Sequence, residues 1–279
     1  MAASNVSCST QTSGNAWRLR HFEGILFGDT FDESRIRSAI QYEPRAGDVF
    51  VVGFPKTGTT WLHFTVRHLL NKDDETPLES AAACMPRVSF LEIAGAENVE
   101  SQRRPGAVIK THLPFENVRF SEKARYIYVL RNPYDTCVSY YHHMRRNSSD
   151  LSDMSFDDFF DQFIDGYVHP NDYFDHLTSW LAQTSKANFL FITYEDMIRD
   201  PRSSILKIAG LSRQKARNDS EQGRWLRWMH SCSGIEGSCT TIYGSHHAYS
   251  GPGYTSAPGH LFASAIRLKV PERTYVSTT

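Results

Sequence analysis

Residues 48–61 read DVFVVGFPKTGTTW. The first seven form a short apolar, β-branched run, the composition of a strand buried on both faces. A turn rich in Gly and Thr follows. From Trp61 the positions of Leu62, Val66, Leu69 and Leu70 then keep helical spacing. The order strand, tight loop, helix recurs. Residues 107–110 end a second short strand. Residues 125–130 (RYIYVL) make a third, followed by Arg131-Asn132-Pro133 and a helix from about Tyr134. Residues 188–193 (NFLFIT) make a fourth, after which Tyr194 opens a loop and helix. Residues 156–166 and 173–183 read as helices, the first with Phe159, Phe160 and Phe163 on one face. Strands alternating with helices predict right-handed crossovers. The expected fold class is therefore α/β, a single domain with a central parallel β-sheet flanked by helices. Ligands of such sheets sit at the carboxyl ends of the strands. Here those ends carry Lys56, His112, Arg131 and Tyr194.

The loop at 55–60 has the chemistry of a phosphate cradle. Backbone N–H groups at a helix N-terminus converge on one spot with the positive end of the helix dipole. Gly58 lets the backbone come close to an anion. Thr57, Thr59 and Thr60 add hydroxyls, and Lys56 adds charge. It is P-loop-like without being a Walker A loop, because Lys56 precedes Gly58 and no Gly-Lys-Ser/Thr closes it. That counts against a nucleotide kinase. The plain alternative is a turn and helix cap with a solvated lysine. Arg131, just past a strand, either grips a phosphate with both prongs of its guanidinium or caps a helix. Trp61 and Tyr194 each read as core or as a stacking wall for a base.

Charge and composition narrow the partners. Lys plus Arg is 30 and Asp plus Glu is 31, a net charge of −1, so no nucleic-acid partner is expected. No apolar run reaches the roughly 18 residues of a membrane span, and no membrane partner is expected. Residues 1–15 are polar and rich in Ser and Thr, unlike a secretory signal. Five cysteines at irregular spacing fit reduced thiols better than a disulfide framework. The expected location is cytoplasmic.

Pro55-Lys56-Thr57-Gly58-Thr59-Thr60-Trp61 resembles the 5′-phosphosulfate loop of the cytosolic sulfotransferases. Further segments resemble the same family in the same order. They are Phe90-Leu91-Glu92, Lys110-Thr111-His112-Leu113-Pro114, the run from Tyr128 to Pro133 with Ser139 beyond it, and Tyr194-Glu195-Asp196. The match covers roughly residues 20–210. It implies a sulfuryl donor, 3′-phosphoadenosine 5′-phosphosulfate (PAPS), and a small-molecule acceptor: a phenol, alcohol or amine. It implies nucleotide contacts from Lys56, Thr57, Gly58, Thr59, Thr60, Trp61, Arg131, Ser139 and Tyr194. His112 would be the general base, and Phe90 with His112 would meet the acceptor. Lys56 would steady the leaving phosphate, and Ser139 would restrain futile hydrolysis. Lys110, two residues before His112, would lie on the same side of an extended segment and steady the sulfonate. Phe22 or Phe27, which lie in no family motif, would either line the acceptor pocket too or belong to the core, as large aromatics more often do. Sulfuryl transfer of this kind needs no metal, and none is expected.

Texture changes near Leu211. Residues 1–211 hold 22 basic and 27 acidic side chains, whereas 212–279 hold 8 and 4. The second stretch is rich in Gly, Ser and His and has no sustained periodicity. The family's Arg-Lys-Gly segment, which wraps the 3′-phosphate, is not found after Leu211, and neither is its dimerisation segment. The expected division is a sulfotransferase domain at 16–211, incomplete at its C-terminal side, and a divergent, poorly ordered tail at 212–279. A frameshift or alternative last exon near Gly210 would produce such a tail. Its absence of a dimerisation segment counts against a homodimer. The alternative expectation is a catalytically impaired relative that still binds nucleotide.

Overall fold

The computed structural model describes residues 18–70, 88–101, 107–147 and 153–211. The divergent tail and its expected disorder lie outside the described residues. A hairpin comes first, β1 (Leu19–Phe22) and β2 (Ile25–Gly28), paired antiparallel, followed by α1 (Glu33–Ile40). Then come β3 (Val49–Val52), α2 (Thr59–Leu70), β4 (Ser89–Phe90), α3 (Leu91–Ala94), α4 (Ala96–Ser101) and β5 (Val108–Thr111). The rest is β6 (Arg125–Leu130), α5 (Pro133–Asn147), α6 (Phe156–Ile164), α7 (Tyr173–Leu181), β7 (Phe189–Thr193), α8 (Tyr194–Arg199) and α9 (Pro201–Leu211). The five-stranded sheet has the order β4-β5-β3-β6-β7, and every adjacent pair is parallel.

Alternation along β3 separates two apolar layers. Phe50 and Val52 face a cluster with Tyr126, Tyr128, Trp180, Ile36 and Val99, closed by α1, α4 and α7. Val49 and Val51 face the other side, with Leu62 and Val66 of α2, Ile127 and Val129 of β6, and Ile208 of α9. Both faces of β3 are covered, which is why its sequence is continuously apolar. A third cluster, Phe54, Tyr140, Phe159, Phe163 and Tyr173, binds α5, α6 and α7 to the end of β3. Burying each such ring stabilises the fold by roughly 1.5–3 kcal/mol.

Most expected elements occur with shifted ends. The strand expected at 48–54 is Val49–Val52, because the chain turns into the loop at Gly53. The helix expected from Trp61 begins at Thr59. Tyr194 does not open a loop: Thr193 ends β7 and at once caps α8, its hydroxyl accepting from the Asp196 amide. The hairpin, α1, β4, α3 and α4 are not signalled by a long periodic run.

Candidate active site

The site follows from strand register. Val52 of β3 stands opposite Thr111 of β5 on one side and Tyr128 of β6 on the other. The residues that come next, Gly53, His112 and Val129, are therefore neighbours. The Gly53 carbonyl lies 2.5 Å from His112 Nδ1. A carbonyl only accepts, so Nδ1 carries the proton and neutral His112 presents Nε2 as a bare acceptor. Gly53 must be Gly: an added Cβ would lie 2.7 Å from both Thr57 Oγ1 and the Val129 carbonyl. At the far side, Leu130 pairs with Thr193. Arg131 thus comes over the Tyr194 ring, 4.5 Å from its centroid, and Phe90 pairs with Lys110 at the other edge.

The loop between β3 and α2 is tightly wound. Lys56 has φ 72° and Gly58 φ 99°. A left-handed lysine is held there by its surroundings, since the conformation costs about 1–3 kcal/mol. Its carbonyl accepts from Arg131 Nη1 at 3.2 Å. Alternating backbone twist of this sort turns successive amides inward as an anion nest, and the first amides of α2 have no acceptor in the helix. Thr57 is engaged within the loop. Its hydroxyl and amide both donate to the Phe54 carbonyl, at 2.7 and 3.3 Å. These bonds brace the loop. Thr59 is buried, and Thr60 Oγ1 accepts from Lys110 Nζ at 3.2 Å. Lys110 is thereby tied to the loop itself.

Two titratable groups share the buried floor. Glu92 Oε1 accepts from the Thr111 hydroxyl at 3.0 Å and from the His112 amide at 2.5 Å. Burial pushes the Glu92 carboxyl up to about 7, against the lowering effect of those hydrogen bonds and of Lys110. Burial brings Lys110 down to about 8, and the Glu92 charge partly restores it. His112 is held well below the usual imidazole range, first by burial and then by the Lys110 charge. It is neutral at pH 7. Phe90 packs edge-on against His112, centroids 4.9 Å apart, with Lys110 Nζ 4.5 Å from the Phe90 centroid.

Arg131 is half-buried. Its Nε is buried with no hydrogen-bond partner, an orphan donor of the kind an oxyanion satisfies. Tyr173 Oη donates to the Arg131 carbonyl at 2.6 Å, and Glu195 accepts from the Asn132 amide at 2.7 Å. Trp61 and Tyr194 meet edge to face at 5.9 Å beside the loop. Ser139 lies half-buried in the second turn of α5. Of the two aromatic candidates for the acceptor wall, Phe27 meets Phe31, which meets Phe90. Phe22 instead lies under the Arg37 guanidinium. Tyr173 and His176 have no role in the sequence reading, and Glu92 and Tyr128 enter it only as members of family-like segments; register and helix packing bring all four to His112 and Arg131. His143 lies one helical turn past Ser139 and is pushed down to about 3, by burial first and then by the Lys56 and Lys110 charges. Among the described residues no group of three or more His, Cys, Asp or Glu side chains is placed to hold a metal ion. No described helix is long and apolar enough to cross a membrane.

Parallel strands thus end together on an amide-lined loop, a guanidinium and a neutral imidazole, at the sheet end where ligands of such folds sit. Residues 46–225 match the family model described as sulfotransferase domain. An amine sulfotransferase of Oryctolagus cuniculus is 33% identical over 196 residues, 68% of this chain and 64% of that one. A 3-alpha-hydroxysteroid sulfotransferase of Cavia porcellus is 30% identical over 240 residues, 84% of this chain and 83% of that one. The crystal structure of a mouse sulfotransferase complexed with PAP superposes with a TM-score of 0.61 at 28% identity. It covers 75% of this chain and 73% of that one. The chain belongs to the sulfotransferase family. It spans about half to two thirds of the length of several curated relatives it matches.

Proposed function

We propose that this protein transfers the sulfuryl group of PAPS to a hydroxyl or amine of a small molecule, with His112 as general base. The observation that carries the reading is the Nδ1 hydrogen bond of His112 to Gly53. It leaves Nε2 as an acceptor at the point where the phosphate loop, Lys110 and Phe90 meet. The acceptor oxygen or nitrogen attacks sulfur in line, and the bond from sulfur to the 5′-phosphate oxygen breaks. The acceptor proton passes to Nε2, and adenosine 3′,5′-bisphosphate leaves. The transition state is loose and charge grows on the leaving oxygen, as in phosphoryl transfer. Lys56 and the amides of Gly58 to Thr60 face that charge. Lys110 steadies the sulfonate and, in the resting site, donates a hydrogen bond to the Thr60 hydroxyl. Arg131, with Ser139, takes the 3′-phosphate, for which the orphan Nε is fitted. Trp61 and Tyr194 flank the base. By resemblance, we place the protein in the cytoplasm, which cell fractionation would check.

Transfer of radiolabelled sulfonate from PAPS to a panel of phenols, alcohols and amines tests the reading. His112→Asn should lower turnover by about 10²–10⁴-fold, with nucleotide affinity little changed. Equal turnover by that variant would remove His112 from the chemistry. A second reading, a nucleotide-binding relative with impaired turnover, is favoured by the lack of Arg-Lys-Gly after Leu211. Each charge-assisted hydrogen bond so lost is worth about 1.5–3 kcal/mol. Nucleotide binding without transfer to any of the panel would select it.

A further inference from the structure

Three polar atoms of His112 are held, each by a different element. Nδ1 donates to Gly53, after β3. The backbone N–H donates to Glu92 of α3. The backbone carbonyl lies 3.1 Å from His176 Nε2, on α7. His176 is buried, and its other nitrogen, Nδ1, lies 3.0 Å from Tyr128 Oη on β6. A carbonyl only accepts, so His176 Nε2 carries the proton. Nδ1 is then the bare nitrogen, and Tyr128 must donate to it. The chain of donors runs one way, from Tyr128 through His176 to the carbonyl of His112. Each member can take only one orientation. Phe54 packs edge-on to the His176 ring at 5.7 Å, closing off its side.

We propose that His176 and Tyr128 are positioning residues for this reaction. Neither has a hydrogen bond to the phosphate loop. Tyr128 fixes the tautomer of His176, and His176 pins the carbonyl of His112. That fixes the His112 backbone and aims Nε2 at the acceptor. The inference rests on His112 being the general base, and its test is chosen to separate the two.

Long-range proton–nitrogen NMR of the full chain with nitrogen-labelled histidine reads each tautomer without any turnover. The wild-type protein should show His112 protonated on Nδ1 and His176 on Nε2. In Tyr128→Phe and in His176→Leu, each checked for folding by near-ultraviolet circular dichroism, the His112 resonances should move toward a mixture of tautomers. His176→Gln keeps an amide N–H for the carbonyl and should restore the single Nδ1-protonated form. In turnover assays the same loss should appear as a fall in kcat of about 10²-fold, with KM changed less than about twofold. Unchanged His112 resonances in folded Tyr128→Phe and His176→Leu, or His176 protonated on Nδ1 in the wild type, would overturn the proposal. Full turnover by His112→Asn would instead overturn the general-base reading and leave the tautomer result standing by itself.

Discussion

Gly58 shows how closely single atoms are fitted here. At φ 99°, a Cβ added to it would lie 2.6 Å from Tyr194 Cδ2. Gly58→Ala therefore combines backbone strain of about 1–3 kcal/mol with displacement of the ring that stacks on Arg131. Calorimetry should show weaker binding of adenosine 3′,5′-bisphosphate by this variant, and urea titration a lower stability. Wild-type affinity would mean that Tyr194 does not border the nucleotide. The floor gives a second residue-scale prediction. Glu92 supports the charge on Lys110, so Glu92→Gln, which keeps an acceptor for the His112 amide, should lower the Lys110 pKa further below its ordinary value. An NMR titration of the lysine side chain would detect this, and a rise would contradict the assignment. The phosphate loop and His112 are legible in the sequence, because each lies in a contiguous motif beside a strand. The contacts of Glu92, His176 and Tyr128 are not, although Glu92 and Tyr128 fall inside family-like segments. Their meaning comes from partners 20, 64 and 48 positions away, joined by register and packing.

Among the elements, those with a strong period or a continuous apolar run are readable. β6 is buried over its four central residues, β7 is partly buried, and both lie close to their expected bounds. The hairpin is different: β1 alternates weakly and its apolar weight sits in β2, whose four residues are all buried. The two-residue β4 has no pattern of its own. It exists because β5 offers it a ladder. Helix α7 is fixed at its start by Asp172, whose carboxylate accepts from the Phe174 and Asp175 amides at 2.7 and 3.0 Å. Asp172→Ala should cost about 1 kcal/mol, seen as a lower urea midpoint. Because α7 carries His176, it should also broaden the His112 resonances. Further along α7, Trp180 is fully buried, and its Nε1 donates to the Leu113 carbonyl at 3.1 Å. Trp180→Ala should cost about 3–5 kcal/mol. A loss below about 1 kcal/mol would show that this layer is not the core of the fold.

Across the described residues, burial keeps a set of imidazoles neutral. It pushes His63, His143 and His176 down to about 3 and His169 down to about 4, and holds His112 well below the ordinary 6.5. Above pH 6.5 these groups are neutral in both folded and unfolded chains, and stability is complete. Below it the unfolded chain takes up protons that the folded one refuses. Stability should therefore fall with falling pH, by about 1.4 kcal/mol per pH unit for each such group. Glu92 acts in the opposite sense. Its folded pKa is raised from 4.5 to about 7, so its contribution is complete below 4.5 and fades as pH rises toward 7. Among the described residues one such carboxyl stands against five imidazoles, which leaves the histidines dominant. The urea midpoint should drop between pH 6.5 and 4.5, and a flat profile would contradict the buried neutral histidines.

The proposed function requires the strand ends, taken together, to hold a nucleotide with phosphates at both ends of its ribose. Calorimetric titration of the full chain with adenosine 3′,5′-bisphosphate tests that most directly. The site as described predicts micromolar or tighter binding, about −8 kcal/mol or better, lost on Arg131→Ala. No heat of binding to a folded chain would contradict it.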